Sequence, residues 1–154
     1  VQKNGSHTIT GAIVFSNPTA SSSIATGAVI VTGGVGIGGK MNVGGDITAF
    51  ASSDKRLKNN LEKINNPLDK LKKINGYTFD WIEKKGVHSN KGHDIGVIAQ
   101  EIEEVLPEVV VTRENGYKAV RYEKIVPLLI ETIKEQQKQI NNLNDRLEKL
   151  ENGS

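Results

Sequence analysis

Hydrophobic positions fall into three regimes along this chain. Residues 8–47 carry short apolar runs, at 11–15, 27–32 and 40–43, bounded by Asn-Pro, Gly-Gly or Gly-x-Gly. Runs this short between turn formers predict β-strands. Their apolar bulk is too small for one chain to cover a sheet. The expectation is therefore a fibrous, intertwined β segment in which identical chains pair one another's edges. Between 59 and 75, Leu61, Ile64, Leu68, Leu71 and Ile74 recur at steps of three and four. That spacing predicts an amphipathic helix with Pro67 in its first turn and Asn65 or Asn66 as cap. Tyr77, Phe79 and Trp81 alternate with Thr78, Asp80 and Ile82 as a strand would. Residues 83–94 read as a polar loop, 95–99 as a short buried strand and 100–106 as a helix that Pro107 ends. Residues 109–112 and 118–122 flank Glu114-Asn115-Gly116, a hairpin signal.

The third regime is a heptad. Val126, Ile133, Ile140 and Leu147 occupy position a, and Leu129, Gln136, Leu143 and Leu150 occupy position d. This pattern predicts a coiled coil and an oligomer. Isoleucine at position a suits two strands; the polar layer at Gln136 and the β fibre upstream favour three. At 1.5 Å per residue the stalk spans about 39 Å. The expected fold class is α+β in a homotrimer: an intertwined β fibre segment over 1–52, a small α+β body over 53–122 and a trimeric coiled coil over 123–151.

Composition sharpens the first boundary. Ten of the 16 glycines precede residue 53, and that stretch carries only Lys3, Lys40 and Asp46 as charges. Acids and bases then intersperse to a net charge of +2, so no one-signed field gathers nucleic acid or anionic lipid. Cysteine is absent, which removes disulfide frameworks and cysteine-based metal or redox sites. No apolar run approaches a membrane span and no signal peptide opens the sequence, so a soluble protein is expected.

Several patterns invite chemistry and yield to simpler readings. Gly34-Val-Gly36-Ile-Gly38-Gly39 has the spacing of a dinucleotide loop, but Met41-Asn-Val-Gly-Gly45 follows where a helix should open. A glycine-rich fibre turn is the expectation. His88, His93 and Asp94 could hold a metal, although a polar loop makes solvated side chains the expected outcome and no metal site is assigned; His7 lies apart from them. Lys72, Lys73, Lys84 and Lys85 read as solvent-facing charges. Tyr77, Phe79 and Trp81 read as core rather than a ligand platform.

Ser53 and Lys58 stand at the composition boundary. A serine hydroxyl attacks a peptide if a neighbouring base takes its proton, and a neutral lysine can be that base. Neutrality near pH 7 requires the lysine pKa to fall by about three units, through burial or nearby positive charge. Lys55 and Arg56 could supply the charge. The competing reading makes Ser53 the cap of a helix or turn, and the chemistry alone favours it. Five residues apart on a helix the two side chains diverge, so a working pair needs a turn or two subunits.

The ordered series Ser53-Asp-Lys-Arg-Leu-Lys58-Asn-Asn, Leu68-Asp-Lys-Leu71, Tyr77-Thr-Phe-Asp-Trp81, Ile95-Gly-Val-Ile-Ala-Gln-Glu101, Val105-Leu-Pro107, Val120-Arg-Tyr122 and Leu128-Leu-Ile-Glu-Thr-Ile133 resembles one family. It is the self-cleaving intramolecular chaperone at the C-terminus of phage tailspikes, endosialidases and neck appendages, found also in myelin regulatory factor. The resemblance covers residues 53 to about 150. It implies a domain that trimerises, helps an upstream β fibre to fold and then releases itself by cutting Ser52-Ser53, once, with Ser53 as nucleophile and Lys58 as base. Asp54, Arg56, Asn59, Gln100 and Glu101 become candidates for orienting the turn, positioning or contacting an oxyanion. Residues 26–38 also look like tail-fibre sequence. The implied partners are copies of the same chain and its own upstream fibre, with no cofactor, nucleic acid or membrane. The fibre would sit in the virion, and the chaperone would be released in the host cytoplasm. The alternatives are an uncleaved structural tip and a receptor- or glycan-binding tip using residues 83–94 and the aromatics. The transcription-factor setting of the domain is disfavoured by the lack of a membrane span and a basic DNA-binding segment.

Overall fold

The computed structural model describes residues 10–153; His7 and the start of the β-type stretch at Thr8 lie outside them. The chain divides into two units, Val1–Ser53 and Asp54–Ser154. In the first unit none of the described residues lies in a helix or strand, and all but Gly27 and Ala28 are exposed. The three expected strands are thus not formed in the single chain. The physical reason is the one that made them improbable alone: runs of small residues expose both edges and both faces unless another chain pairs them. Local order persists in a turn where the Thr26 N–H donates to Ser23 O at 3.2 Å. Thr26 Oγ1 accepts the backbone N–H groups of Ser22 and Ser23, at 2.8 and 2.9 Å, and closes a turn.

The second unit is a small α+β body with a long C-terminal helix. A short 3-10 turn, Lys55–Leu57, precedes helix α1, Pro67–Leu71. The helix expected over 59–75 is therefore confined to its middle. Asn60 and Asn66 both take left-handed backbone, at φ 52° and 49°, and Pro67 disfavours helical geometry at the residue before it. Asn66 stands at the N-cap, without a capping side-chain bond. Strand β1, Gly76–Asp80, pairs antiparallel with β2, His93–Val97, bringing Tyr77 opposite Gly96 and Phe79 opposite Asp94. The strand read to Ile82 ends at Asp80, and the loop read to Asp94 ends at Gly92. His93 and Asp94 join the ribbon because it has a solvent face that accepts polar residues.

Helix α2, Ala99–Val105, follows at once. Strands β3, Val110–Thr112, and β4, Lys118–Val120, form a second antiparallel pair. Their connection is Glu114-Asn115-Gly116, with Gly116 at φ 81° and its N–H donating to Arg113 O at 2.8 Å. This is a three-residue loop with glycine in the left-handed position, rather than a two-residue Asn-Gly turn. A 3-10 turn, Tyr122–Ile125, then leads into α3, Val126–Glu151.

The core sits where α2, the turn after it and α3 converge. Ile102 and Leu128 are fully buried, with Val105, Leu106 and Val109 nearly so. Ile64, Leu71, Ile74, Val97, Val110, Val120 and Ile125 pack around them. Two of the five expected helix residues stand outside this set in different ways: Leu68 is half-buried, and Leu61 is exposed.

Glu101 fastens α2 to the α1–β1 connection. Its Oε2 accepts the Asn75 N–H at 2.9 Å and the Asn75 amide at 3.2 Å, while Oε1 accepts the Tyr77 hydroxyl at 2.6 Å. The Tyr77 hydroxyl, then the Asn75 backbone, hold the Glu101 carboxyl below the usual range, and the same bond pushes the Tyr77 hydroxyl up. A carboxyl lowered on folding stabilises the fold above its ordinary pKa, and that stabilisation fades as pH falls through the lowered value. Thermal unfolding from pH 7 to pH 3 should therefore show Glu101→Gln less stable than wild type at pH 7, the gap closing in acid; a gap independent of pH would contradict the assignment.

Helix α3 turns two faces in different directions. Leu128 and Thr132 are buried in the body. Val126, Leu129, Ile133, Ile140, Leu143, Leu147 and Leu150 are between 41% and 73% exposed, and Gln136 is exposed among them. Leu128→Ala should cost the folded body about 3 kcal/mol through lost burial and a residual cavity. Leu129→Ala should cost the single-chain body far less, as denaturant unfolding of the unassembled protein will read.

Candidate functional site

The seam between the units has a defined local chemistry on its downstream side. Asp54 Oδ1 accepts the backbone N–H of Arg56 at 2.8 Å. The Arg56 guanidinium returns to the same carboxylate, with Nε 3.1 and 3.2 Å from its two oxygens and Nη2 2.7 Å from Oδ2. Two backbone bonds complete the turn, from Leu57 N–H to Asp54 O and from Lys58 N–H to Lys55 O, each 3.1 Å. The side chain that caps this turn is thus that of Asp54. A carboxylate at this position meets the Arg56 N–H with a full charge.

Arg56 holds the Asp54 carboxyl below the usual carboxylate range, first through its side chain and then through its backbone N–H, and is itself raised in return. Both partners lie at the surface, the Arg56 side chain almost wholly exposed, so the pair adds little to global stability. Its effect is local: it fixes the path of the chain from Asp54 to Lys58. An Arg56 engaged through its guanidinium with Asp54 is suited to shaping this turn. Glu101, whose two oxygens serve Asn75 and Tyr77, is acceptor-only when ionised and cannot donate to an oxyanion.

The remaining sequence-derived candidates are distributed as follows. Ser52 and Ser53 belong to the first unit; Asp54, Arg56, Lys58 and Asn59 belong to the second. Residues 51–63 are all exposed. The division between units falls one bond beyond Ser52-Ser53. Gln100 lines a groove of about 880 Å³ on the body, with Trp81, Ile95, Ile98, Tyr117 and Tyr122 among its walls. The groove arises where β1, the loop after it, β2, the start of α2 and β4 approach one another, so Phe79, Trp81 and part of the 83–94 stretch weighed as a binding tip line it.

The residues weighed as a metal site have protein partners. His93 Nδ1 lies 3.0 Å from Asp80 Oδ1 across the ribbon. Asp94 Oδ2 accepts the Trp81 indole N–H at 2.8 Å, and the His88 ring lies 5.0 Å from that of Trp81. The indole bond, followed by the Ile95 N–H, holds the Asp94 carboxyl low. Among the described residues no group of three histidine, aspartate or glutamate side chains could hold a metal ion. Trp81 also meets Phe79 edge to face, centroids 5.1 Å apart, so two of the three aromatics pack on each other as well as facing the groove. Among the described residues no helix is long and apolar enough to cross a membrane.

Residues 53–111 match the model of a peptidase family described as chaperone of endosialidase. The chain is also similar to long tail fiber protein Gp37 from several phages. It is 36% identical over 106 residues to that of Salmonella phage S16, covering 64% of this chain and 14% of the relative. It is 33% identical over 102 residues to that of Enterobacteria phage K3, covering 64% and 8%. With that of Escherichia phage AR1 it shares 37% over 76 residues, covering 47% and 7%. The chain thus spans a small fraction of the length of these tail fibre relatives. The segment that begins at Ser53 and carries the Asp54–Arg56 turn, β1, β2 and α2 matches the chaperone of endosialidase family, within a chain similar to phage long tail fibre proteins.

Proposed function

We propose that this chain is the assembly end of a phage tail fibre, in which residues 53–154 trimerise, guide the folding of the fibre segment before them and then release themselves. The observation that carries the reading is a coincidence of place. The family match starts at Ser53, and the boundary between the two structural units lies within one bond of Ser52-Ser53. The heptad face of α3 supports the trimer, since an apolar stripe of this length that stays 41–73% exposed is the seam of a coiled coil.

In this reading the Ser53 hydroxyl attacks the carbonyl carbon of Ser52. Lys58 accepts the hydroxyl proton and returns it to the amide nitrogen of Ser53 as the C–N bond breaks. The ester joining the Ser52 acyl group to Ser53 Oγ is then hydrolysed by water. The products are a fibre ending in the Ser52 carboxylate and a chaperone beginning with the Ser53 amine, so the reaction runs once per chain. The Asp54–Arg56 clamp holds the turn that ends at Lys58. Lys58 is exposed in the single chain, and a lysine acts as a base only where burial or positive charge disfavours its ammonium form. Assembly supplies the burial. Cutting thereby reports that three chains have met.

Trimerisation also answers the folding problem of the first unit. Intertwined strands must align before any non-local contact stabilises them. A stalk formed first sets register and raises the local concentration of the strands. Once the stalk is gone the fibre has lost the route by which it formed, and its persistence becomes kinetic. The fibre belongs in the virion, and the released chaperone remains where assembly took place, in the host cytoplasm.

Intact mass measurement of purified protein tests this directly. Wild type should yield fragments matching 1–52 and 53–154. Ser53→Ala should remain whole, and Lys58→Ala should cut about 10²–10⁴-fold more slowly, the usual contribution of a general base. A wild-type chain that stays whole under conditions where it is trimeric would instead support an uncleaved structural tip.

A further inference from the structure

Among the described residues, two besides the glycines take left-handed backbone, Asn60 at φ 52° and Asn66 at φ 49°. Asn66 has a local reason for it. It stands at the N-cap of α1 ahead of Pro67, which disfavours right-handed helical backbone in the residue before it. Asn60 has no such reason: Leu61 follows it, and no helix or strand holds residues 58–64. Left-handed backbone is costly for any residue with a Cβ, even though asparagine bears it better than most. A cost kept where no secondary structure asks for it points to a task for the bend itself.

Both ends of this stretch are fixed. At one end the turn clamped by Asp54 and Arg56 closes with the Lys58 N–H donating to Lys55 O at 3.1 Å, and Lys58 leaves the turn in extended backbone, at φ −129° and ψ 133°. At the other end Ile64 is half-buried and packs on the core cluster that holds Ile102 and Leu128. Between Lys58 and that anchor, Asn60 is the one residue in left-handed backbone. Rotating Asn60 to a right-handed φ would swing everything on its N-terminal side, Lys58 included, relative to the body. Its dihedral thus sets the direction in which the turn leaves the core. Asn59, the candidate beside it, does not share this backbone.

We infer that Asn60 is a positioning residue for the proposed cut, its left-handed backbone setting the direction of the turn that ends at Lys58. The inference rests on the reading of Lys58 as the base. It adds a residue that acts through main-chain conformation rather than through its amide.

A left-handed position accepts glycine and resists a Cβ, which separates conformation from side-chain chemistry. The test uses full-length protein under conditions where light scattering finds trimers, with the rate of cutting per trimer read by intact mass. Asn60→Ala should cut about 5- to 30-fold more slowly than Asn60→Gly, the penalty of a Cβ in left-handed backbone. Asn60→Val, with its branched side chain, should be slower still. Asn66→Ala meets the same backbone at the start of α1; it should lower the unfolding temperature of the body and leave the rate of cutting per trimer unchanged. Equal rates for the alanine and glycine variants at position 60 would overturn the inference and leave Ser53 and Lys58 in their roles. An Asn66→Ala chain slowed as much as Asn60→Ala would overturn it too. So would an Asn60→Ala chain that no longer folds and assembles, since the bend would then serve the fold. Wild-type trimers that stay whole would overturn the proposed cut and this inference together.

Discussion

Helix α3 carries apolar residues on two faces about 100° apart, and a single chain covers one of them. Leu128 and Thr132 are buried against the body, where Leu128 meets Ile102 and its neighbours in the core. The apolar residues of the stripe from Val126 to Leu150 stay 41–73% exposed. Because both faces share the first turns of one helix, the body cannot fold without presenting the stripe, and the stripe cannot associate without carrying the body along. The proposed function follows from that coupling: why the turn at Asp54 matters, and how the upstream strands find partners.

The Asp54–Arg56 clamp illustrates the division of labour between single chain and assembly. It preorganises a short turn at an exposed place, where an ion pair adds little stability and much local definition. The clamp thus prepares one side of the seam in each chain, and in the proposed mechanism the desolvation of Lys58 is what remains for the assembly to supply. A one-use reaction suits such an arrangement: cutting before assembly would discard the chaperone before it had acted.

The sequence made α3 legible because its heptad is long and its apolar residues are unambiguous. It also made the second hairpin legible, since Gly116 is the one residue type that takes the required left-handed backbone cheaply. It misplaced the helix over 59–75 because a periodic set of apolar residues was outweighed by two local facts, the left-handed asparagines at 60 and 66 and the proline that follows the second. Glu101 looked like a candidate for the reacting site and instead ties α2 to Asn75 and Tyr77. Partners 24 and 26 residues away are invisible to a local pattern. The candidate nucleophile and base came from one short motif and its resemblance, whereas the clamp between Asp54 and Arg56 became visible only with the turn in hand. The bond from the Val97 N–H to the Tyr122 hydroxyl escaped notice because its partners lie 25 residues apart.

The central claim is that self-association on the α3 stripe precedes and licenses the cut at Ser52-Ser53. The most direct measurement is the fraction of cleaved chain after refolding across a dilution series, read beside the fraction of trimer at each concentration. The account predicts that the two rise together, with negligible cleavage where the protein is monomeric. Fragments appearing at the same rate at every dilution, including concentrations where light scattering finds only single chains, would contradict it.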